Sequence, residues 1–337
     1  MIENIFQIEY WLEILPALSI SITIITALSL DALLGEPKKY HPLVTFGHLS
    51  NYIEKWLNRS KQKHIFSPLI MLKGALAWSI LVLPLPLLYL LVFSTYTPPW
   101  LITILIDSLI LYLAIGQKSL KQHALQVFTP LKAGNLTLAR HFTGYLVSRE
   151  TKELNEEEMS RATVESMLEN GHDAVIASII CYLLGGAPLV IIHRLANTLD
   201  AMWGYKNTRF LSFGYAAARI DDVLGFISAK CCTLLYAIQQ PFLLALKNAY
   251  QQGNLYKSHN GGWVMASGAT VLHCTLGGNA NYHGKMLTSP QLGCGKTVCC
   301  DDIPRSVTLV KRASLTLTGI VLFWQLFGQI VQLSSFN

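Results

Sequence analysis

Long uncharged stretches interrupt the chain and predict membrane helices. Positions 74–106 contain no charged residue, and neither do positions 14–30 or 313–337. A helix needs about 20 apolar residues to cross a bilayer. We therefore predict spans near 14–34, 74–93, 100–116 and 313–332. The second and third of these are joined by a short uncharged turn and form a helical hairpin across the membrane.

Two further apolar stretches complicate this count. Positions 174–192 are interrupted by Gly185, Gly186 and Pro188. The break leaves two pieces of about eleven residues, each too short to cross at about 1.5 Å of rise per residue. This stretch therefore predicts a buried or re-entrant hairpin. Positions 223–246 contain Lys230, and a crossing there paired with a return through 262–278 remains an open alternative.

Composition and charge fit a membrane protein. Hydrophobic residues make up 52% of the 337 positions and charged residues 14%, against roughly 25% charged in soluble domains. Lysine and arginine concentrate between the first two spans and again over 118–161, and such loops stay on the cytoplasmic side. The acidic N-terminus lacks the basic region of a signal peptide, so we expect the first apolar segment to be retained.

These patterns predict an all-α, polytopic protein of the bacterial inner (plasma) membrane with a cytoplasmic active region, because strand-like alternation is scarce. The expected parts are a transmembrane region over 1–116, a membrane-associated cytoplasmic helical region over 117–312 and an anchor over 313–337. The net charge of +6 lies in loops beside the membrane. Membrane lipid accounts for it, and no nucleic-acid partner is implied.

One polar stripe leads directly into the interrupted apolar segment. Arg161, Glu165, Glu169 and Asp173 recur every four residues and therefore share a helical face. Such a stripe is more often a solvated face than a site. Here its end lies beside an apolar stretch, where carboxylates need a partner such as Mg²⁺ or arginine.

Later residues offer further candidates, each with an ordinary structural alternative. His193, Asn197 and Asp200 share a face that also fits a capped helix end. Asp221 and Asp222, beside Arg219, fit a metal-binding pair or an N-cap pair equally well. The polar and aromatic loop that holds Asn260 and Trp263 suits ligand contact, although its composition is weak support by itself. Asp107, inside a predicted span, raises the alternative of a transporter.

Taken together, these motifs resemble the membrane-bound adenosylcobinamide-phosphate synthases of cobalamin biosynthesis. The resemblance covers nearly the whole chain and rests on blocks in the family's order. The blocks are Asp31 to Pro37, His41-Pro42, Val164-Glu165, Glu169-Asn170, Asp173, Leu184 to Pro188, Asn197 to Asp200, Gly204 to Lys206 and Ala218 to Val223.

The resemblance implies a chemistry: ATP-dependent amide formation between adenosylcobyric acid and aminopropanol or its O-phosphate. It implies ATP and Mg²⁺ as cofactors, the corrinoid as substrate and other late cobalamin-pathway membrane enzymes as potential partners. The implied catalytic residues are Glu165, Asp200, Asp221, Asp222 and Arg219, and the implied metal ligands are Asp221, Asp222 and Glu165. The implied substrate-binding residues are Glu169, Asn170, Asp173, Asn197, Lys206, Asn260, Trp263 and His41.

The chain departs from the family pattern near its C-terminal motif. Met265 stands where the family usually has glutamate, and methionine neither ligates Mg²⁺ nor acts as a base. The family's proline after Gly277-Gly278 is Asn279. A non-catalytic relative that binds a corrinoid or scaffolds the pathway at the membrane is therefore the alternative.

Overall fold

A computed structural model describes residues 15–37, 41–58, 66–147, 150–282 and 285–335. Helices dominate this part of the chain. They are α1 (Ser19–Leu34), α2 (Pro42–Leu57), α3 (Pro68–Val82), α4 (Pro84–Tyr96), α5 (Trp100–Ala114), α6 (Gln117–Lys132), α7 (Leu136–Leu146), α8 (Glu156–Gly171), α9 (Ala177–Trp203), α10 (Tyr215–Ala237), α11 (Phe242–Gly253), α12 (His259–Leu272) and α13 (Asp302–Ser335). A π-helical turn, His172–Ile176, joins α8 to α9.

Four helical segments in the described part are long and apolar enough to cross a membrane: Pro68–Tyr96, Trp100–Lys132, Glu156–Trp203 and Asp302–Gln332. Three of them confirm the spans predicted near 74–93, 100–116 and 313–332. The first predicted span appears as α1, which has 16 residues and reaches only about 24 Å. That is short of the roughly 30 Å hydrocarbon core, and position 14 lies outside the described residues.

The segment Glu156–Trp203 is folded back on itself. The backbone leaves helical geometry at Gly185 and at Gly186, whose φ is +62°. His193 Nε2 lies 3.0 Å from the carbonyl oxygen of Asp173, 20 residues earlier. In a straight helix these positions would be about 30 Å apart. The chain therefore reverses at the glycines that predicted the break, and we call residues 172–203 the folded-back hairpin.

A buried carboxylate ties this hairpin to the neighbouring helices. Asp107 on α5 is 6% exposed and accepts hydrogen bonds from Tyr89 of α4 at 2.7 Å and from Tyr182 of the hairpin at 3.0 Å. Both carboxylate oxygens thus have a partner inside the bundle. Asp107 has the structural role that pairing within the bundle predicts, which weakens the transporter alternative.

A small sheet follows α12 in the chain. Strand β1 (Cys274–Tyr282) pairs antiparallel with β2 (Lys285–Gly293), and β3 (Lys296–Thr297) pairs parallel with β1. The register shifts between Leu276 and Gly278. Gly277 and Gly278 both have positive φ there, a geometry that glycine adopts without strain. These glycines therefore mark a bulge in the strand. The prediction of a loop around Asn260 and Trp263 was wrong, because these residues lie in the first turns of α12.

Two apolar cores position the hairpin. The larger core packs α8, the hairpin, α10 and α12 together and includes Met265, which is fully buried. The smaller core joins α2 and α3 to the end of α9. Gly74 of α3 lies so close to the Phe213 carbonyl that any added Cβ would collide with it. The apolar stretch 223–246 is divided between α10 and α11 and forms no single helix.

Candidate active site

The entry into the folded-back hairpin carries a histidine and an aspartate on the π-helical turn. His172 Nδ1 lies 2.7 Å from Asp173 Oδ1, and His172 Nε2 lies 2.9 Å from the Ser228 hydroxyl of α10. The imidazole is 2% exposed, whereas the Asp173 side chain is 29% exposed. Inserted π-turns are frequent at functional sites. Here the turn holds the Asp173 carboxylate against the His172 ring on one side and leaves it partly exposed on the other.

The second arm of the hairpin brings more polar side chains to the same place. His193 Nε2 donates to the Asp173 carbonyl at 3.0 Å, which fixes the two arms against each other. Asn197 follows one turn later and hydrogen-bonds the Asp221 carboxylate of α10. Asp200 lies on the same arm, close enough to Asp173 and Asp222 to be repelled by both.

Asp173, Asp200, Asp221 and Asp222 therefore form one group, which we call the acid cluster. Burial and, after it, repulsion from Asp173, Asp200 and Asp222 together raise the pKa of Asp221 to about 8. The hydrogen bond from Asn197 opposes this shift. Carboxylates held together at this cost need a proton or a cation.

The acid cluster fits Mg²⁺ in one particular mode. Within the described ranges, no group of three or more His, Cys, Asp or Glu side chains is arranged to hold a metal by itself. Mg²⁺ commonly uses only one or two carboxylates, with waters and substrate phosphates as its other ligands. Asp221 with one neighbouring aspartate suits that mode, in which the substrate completes the site.

Arg219 and Lys206 lie at the solvent-facing rim. Arg219 Nη1 is 3.5 Å from Asp222 Oδ2, and the two side chains are 65% and 50% exposed. The guanidinium also lies over the Tyr215 ring, 5.4 Å from its centroid. Lys206 is exposed in the turn after α9. Both cations can reach an incoming anion, and their predicted phosphate contacts remain predictions.

The α8 stripe extends the row of acids away from the hairpin. Glu165 accepts a hydrogen bond from the Gly277 backbone N–H at 2.8 Å, which ties β1 to α8. Glu169 lies against the start of α12, where a Cβ on Gly261 would be 2.8 Å from its Oε1. It is within electrostatic range of Asp173 and of Glu165. Asn170 is exposed and donates to the Ser166 carbonyl at 2.9 Å.

The start of α12 closes one side of the site. Asn260 Nδ2 donates to the Asp222 carbonyl at 2.8 Å, and Trp263 Nε1 donates to Asn254 Oδ1 at 2.7 Å. Lys230 Nζ lies 3.0 Å from the centroid of the Trp263 ring. Burial lowers the pKa of Lys230 to about 8. Of the two motif residues at the start of α12, Asn260 therefore adjoins the acid cluster, whereas Trp263 contacts Asn254 and Lys230.

His41 has a local role. Its Nδ1 accepts the Leu43 N–H at 3.2 Å and so caps α2, which packs against α9. None of its described hydrogen bonds reaches the acid cluster. The prediction that it contacts substrate has no support from this geometry.

Several neighbours of the site were not selected from the sequence. The Asp31 carboxylate accepts the Lys118 N–H at 2.9 Å, and a Cβ on Gly116 would be 2.8 Å from Glu36 Oε1. Arg194, beside His193 in the hairpin, lies within electrostatic range of Glu36 and Asp173. The first block of the resemblance thus lies next to the hairpin. Its spacing to Arg194 in sequence gives no sign that the two lie within electrostatic range of each other.

This combination defines a polytopic α-helical membrane protein with a carboxylate-rich site at the base of a folded-back helical hairpin. The family described as CobD/Cbib protein matches residues 24–310, and the chain belongs to that family.

Relatives of similar length support the assignment. A cobalamin biosynthesis protein CobD from Chromobacterium violaceum is 44% identical over 301 residues, which cover 88% of this chain and 95% of the relative. The protein of the same description from Stutzerimonas stutzeri is 43% identical over 311 residues, 92% of this chain and 98% of the relative. One from Halalkalibacterium halodurans is 34% identical over 318 residues, which cover 92% of this chain and 97% of the relative. No solved structure matches the chain.

Proposed function

We propose that the protein acts in cobalamin biosynthesis and joins adenosylcobyric acid to aminopropanol or its O-phosphate in an ATP-dependent reaction. The acid cluster is the observation that carries the catalytic part of this proposal. The pathway is the one named for the relatives.

The chemistry needs an activated acyl group, because a carboxylate is a poor acylating agent. Transfer of the terminal phosphoryl group of ATP to the substrate carboxylate gives an acyl phosphate and ADP. Attack by the amine nitrogen then forms the C–N bond, breaks the C–O bond to phosphate and releases a proton. The net products are the amide, ADP and inorganic phosphate.

The residues of the cluster have distinct tasks in this reaction. Mg²⁺, when bound, would neutralise the phosphates. Asp221 and Asp200 would hold it, and Asn197 orients the Asp221 carboxylate through its hydrogen bond. Arg219 and Lys206 at the rim would attract phosphate. Glu169, which lies against the start of α12, and Asp173 would be available to the amine, which is a cation before it loses its proton.

Met265 does not remove a residue from the cluster in this structure. Its side chain is fully buried within the larger apolar core. The departure from the family pattern therefore leaves the acid cluster intact, which favours the enzyme over the non-catalytic alternative.

The test is amide formation by purified, detergent-solubilised protein. The assay supplies adenosylcobyric acid, ATP, Mg²⁺ and either aminopropanol or its phosphate, and product is followed by mass. Asp221→Asn should abolish product without loss of folded protein. Asp301→Asn is the matched control, because Asp301 forms an exposed ion pair with Lys132 at 2.8 Å on the surface.

Each outcome has a distinct meaning. Product with one amine establishes the reaction and the amine preference together. If wild-type protein binds the corrinoid but forms no product with either amine, the protein is a non-catalytic corrinoid-binding relative and the enzyme hypothesis is rejected. Activity retained in Asp221→Asn would remove Asp221 from the metal role.

The proposal also places the acid cluster on the cytoplasmic side of the bacterial inner membrane, where ATP is available. Lys206→Cys, at the exposed rim, should be labelled by an impermeant maleimide only in inverted vesicles. Labelling in intact spheroplasts would show that position 206 lies outside the cell and would contradict the proposed orientation.

A further inference from the structure

Arg194 is a cation in the folded-back hairpin whose Nε lacks a hydrogen-bonding partner among the described residues. It follows His193, and Asn197 lies one turn further on. Its Nε is fully buried and makes no hydrogen bond to any described residue. Glu36 and Asp173 attract it electrostatically. Neither of these described carboxylates lies within ion-pair distance of the guanidinium.

A buried arginine Nε without an acceptor is an unusual feature of a folded protein. Buried polar groups nearly always have a partner, and each exception calls for an explanation such as an absent ligand. Arginine also stays protonated in proteins, so it cannot reduce the cost of burial by becoming neutral. Glu36 and Asp173 favour the positive charge of Arg194, while its Nε–H has no acceptor among the described residues.

The position of Arg194 indicates what kind of ligand would use those groups. The planar fork of arginine matches the oxygens of a phosphate group. The acid cluster lies beside it, with Asp173 within electrostatic range of Arg194 and of Asp221. A phosphate held by Arg194 would therefore lie next to the carboxylates proposed to bind Mg²⁺.

We propose that Arg194 binds a phosphate group of a substrate at the base of the folded-back hairpin. The inference deepens the proposed function and rests on it for the identity of the ligand. That ligand is either ATP or the phosphate of the amine substrate. Both present the same chemistry to the guanidinium, so separate binding measurements must distinguish them.

The test measures affinity, which needs no turnover. Full-length protein in detergent is titrated by calorimetry with ATP and Mg²⁺, and separately with aminopropanol phosphate. Arg194→Gln should weaken binding of one of the two ligands by at least roughly 10-fold. Arg194→Lys, which keeps the charge but loses the fork, should give a smaller loss. Arg312→Gln is the matched control, because Arg312 is exposed at the start of the apolar part of α13.

Several results would overturn the proposal. One is wild-type affinity for both ligands in Arg194→Gln. Another is no binding of either phosphate ligand by the wild-type protein. If Arg194→Gln does not fold, the Arg194→Lys protein provides the test. Wild-type affinity for both ligands in folded Arg194→Lys would likewise reject binding of phosphate by the Arg194 guanidinium.

Failure of this inference can be told apart from failure of the proposed function. Phosphate binding that depends on Arg194, without any amide product from the wild type, would leave the Arg194 site standing and reject the reaction. Amide formation by the wild type, with unchanged phosphate affinities in Arg194→Gln, would support the reaction and reject the Arg194 site.

Discussion

The Asp107 network makes the sharpest prediction for stability. Replacement of Asp107 by leucine removes the acceptor for both Tyr89 and Tyr182, whose hydroxyls lie 2.7 and 3.0 Å from it. Hydrogen bonds between helices inside membranes average about 0.6 kcal/mol and reach about 1.7 kcal/mol. Because Asp107 is buried, each of its two bonds should contribute about 1 kcal/mol, above that average, which gives about 2 kcal/mol together.

The assay is reversible unfolding in mixed micelles with increasing SDS, followed by tryptophan fluorescence. Asp107→Leu should lower the free energy of unfolding by about 2 kcal/mol, and Tyr182→Phe by about 1 kcal/mol. Asp107→Asn is the matched control, because its amide oxygen still accepts one hydrogen bond.

A double-mutant cycle isolates the bond itself. The combined Asp107→Leu and Tyr182→Phe protein should be more stable than the sum of the single losses predicts, by about 1 kcal/mol. An additive double mutant would show that the 3.0 Å contact contributes nothing. A fully stable Asp107→Leu protein would refute the view that this carboxylate fixes the hairpin.

Three further predictions follow from the site and the cores. The pKa of Asp221 is raised from 3.8 to about 8, so its protonated form stabilises the fold, and that contribution is lost as the pH rises through about 8. Mg²⁺ competes with the proton, so its apparent affinity, measured by calorimetry, should rise toward pH 8; a flat profile contradicts the shift. Gly74→Val, whose side chain would meet the Phe213 carbonyl, should cost about 1–3 kcal/mol in the same SDS assay, and an unchanged midpoint would reject that close approach. Met265→Glu should lower stability by about 2–5 kcal/mol, because it places a carboxylate in an apolar core; a stable and more active variant would instead put position 265 in the site.

The parts of the fold that depend on local sequence could be predicted. Uncharged runs predicted three of the long apolar helices, and Gly185-Gly186 predicted the break in the hairpin. Helical spacing placed Asn197 and Asp200 on one face. Only the resemblance linked them to Asp221. The contact between α9 and α10 depends on tertiary packing, which the spacing of residues within one helix does not predict.

The missed features have physical reasons. Strand β1 carries Gly277 and Gly278, which mimic a loop in sequence and form a bulge in the structure. Arg194 approaches Glu36 across a large separation in the chain. Its position in an otherwise apolar segment was a usable signal, because a charge there needs a partner or a ligand.

The reversal at Gly185 and Gly186 also bears on membrane insertion. A segment that returns to the side from which it entered adds an even number to the crossings of the chain. The direction of α13 is therefore set by the spans that precede the hairpin, whatever depth the hairpin reaches. Substitutions that loosen the hairpin can disturb the acid cluster while the C-terminal helix keeps its orientation.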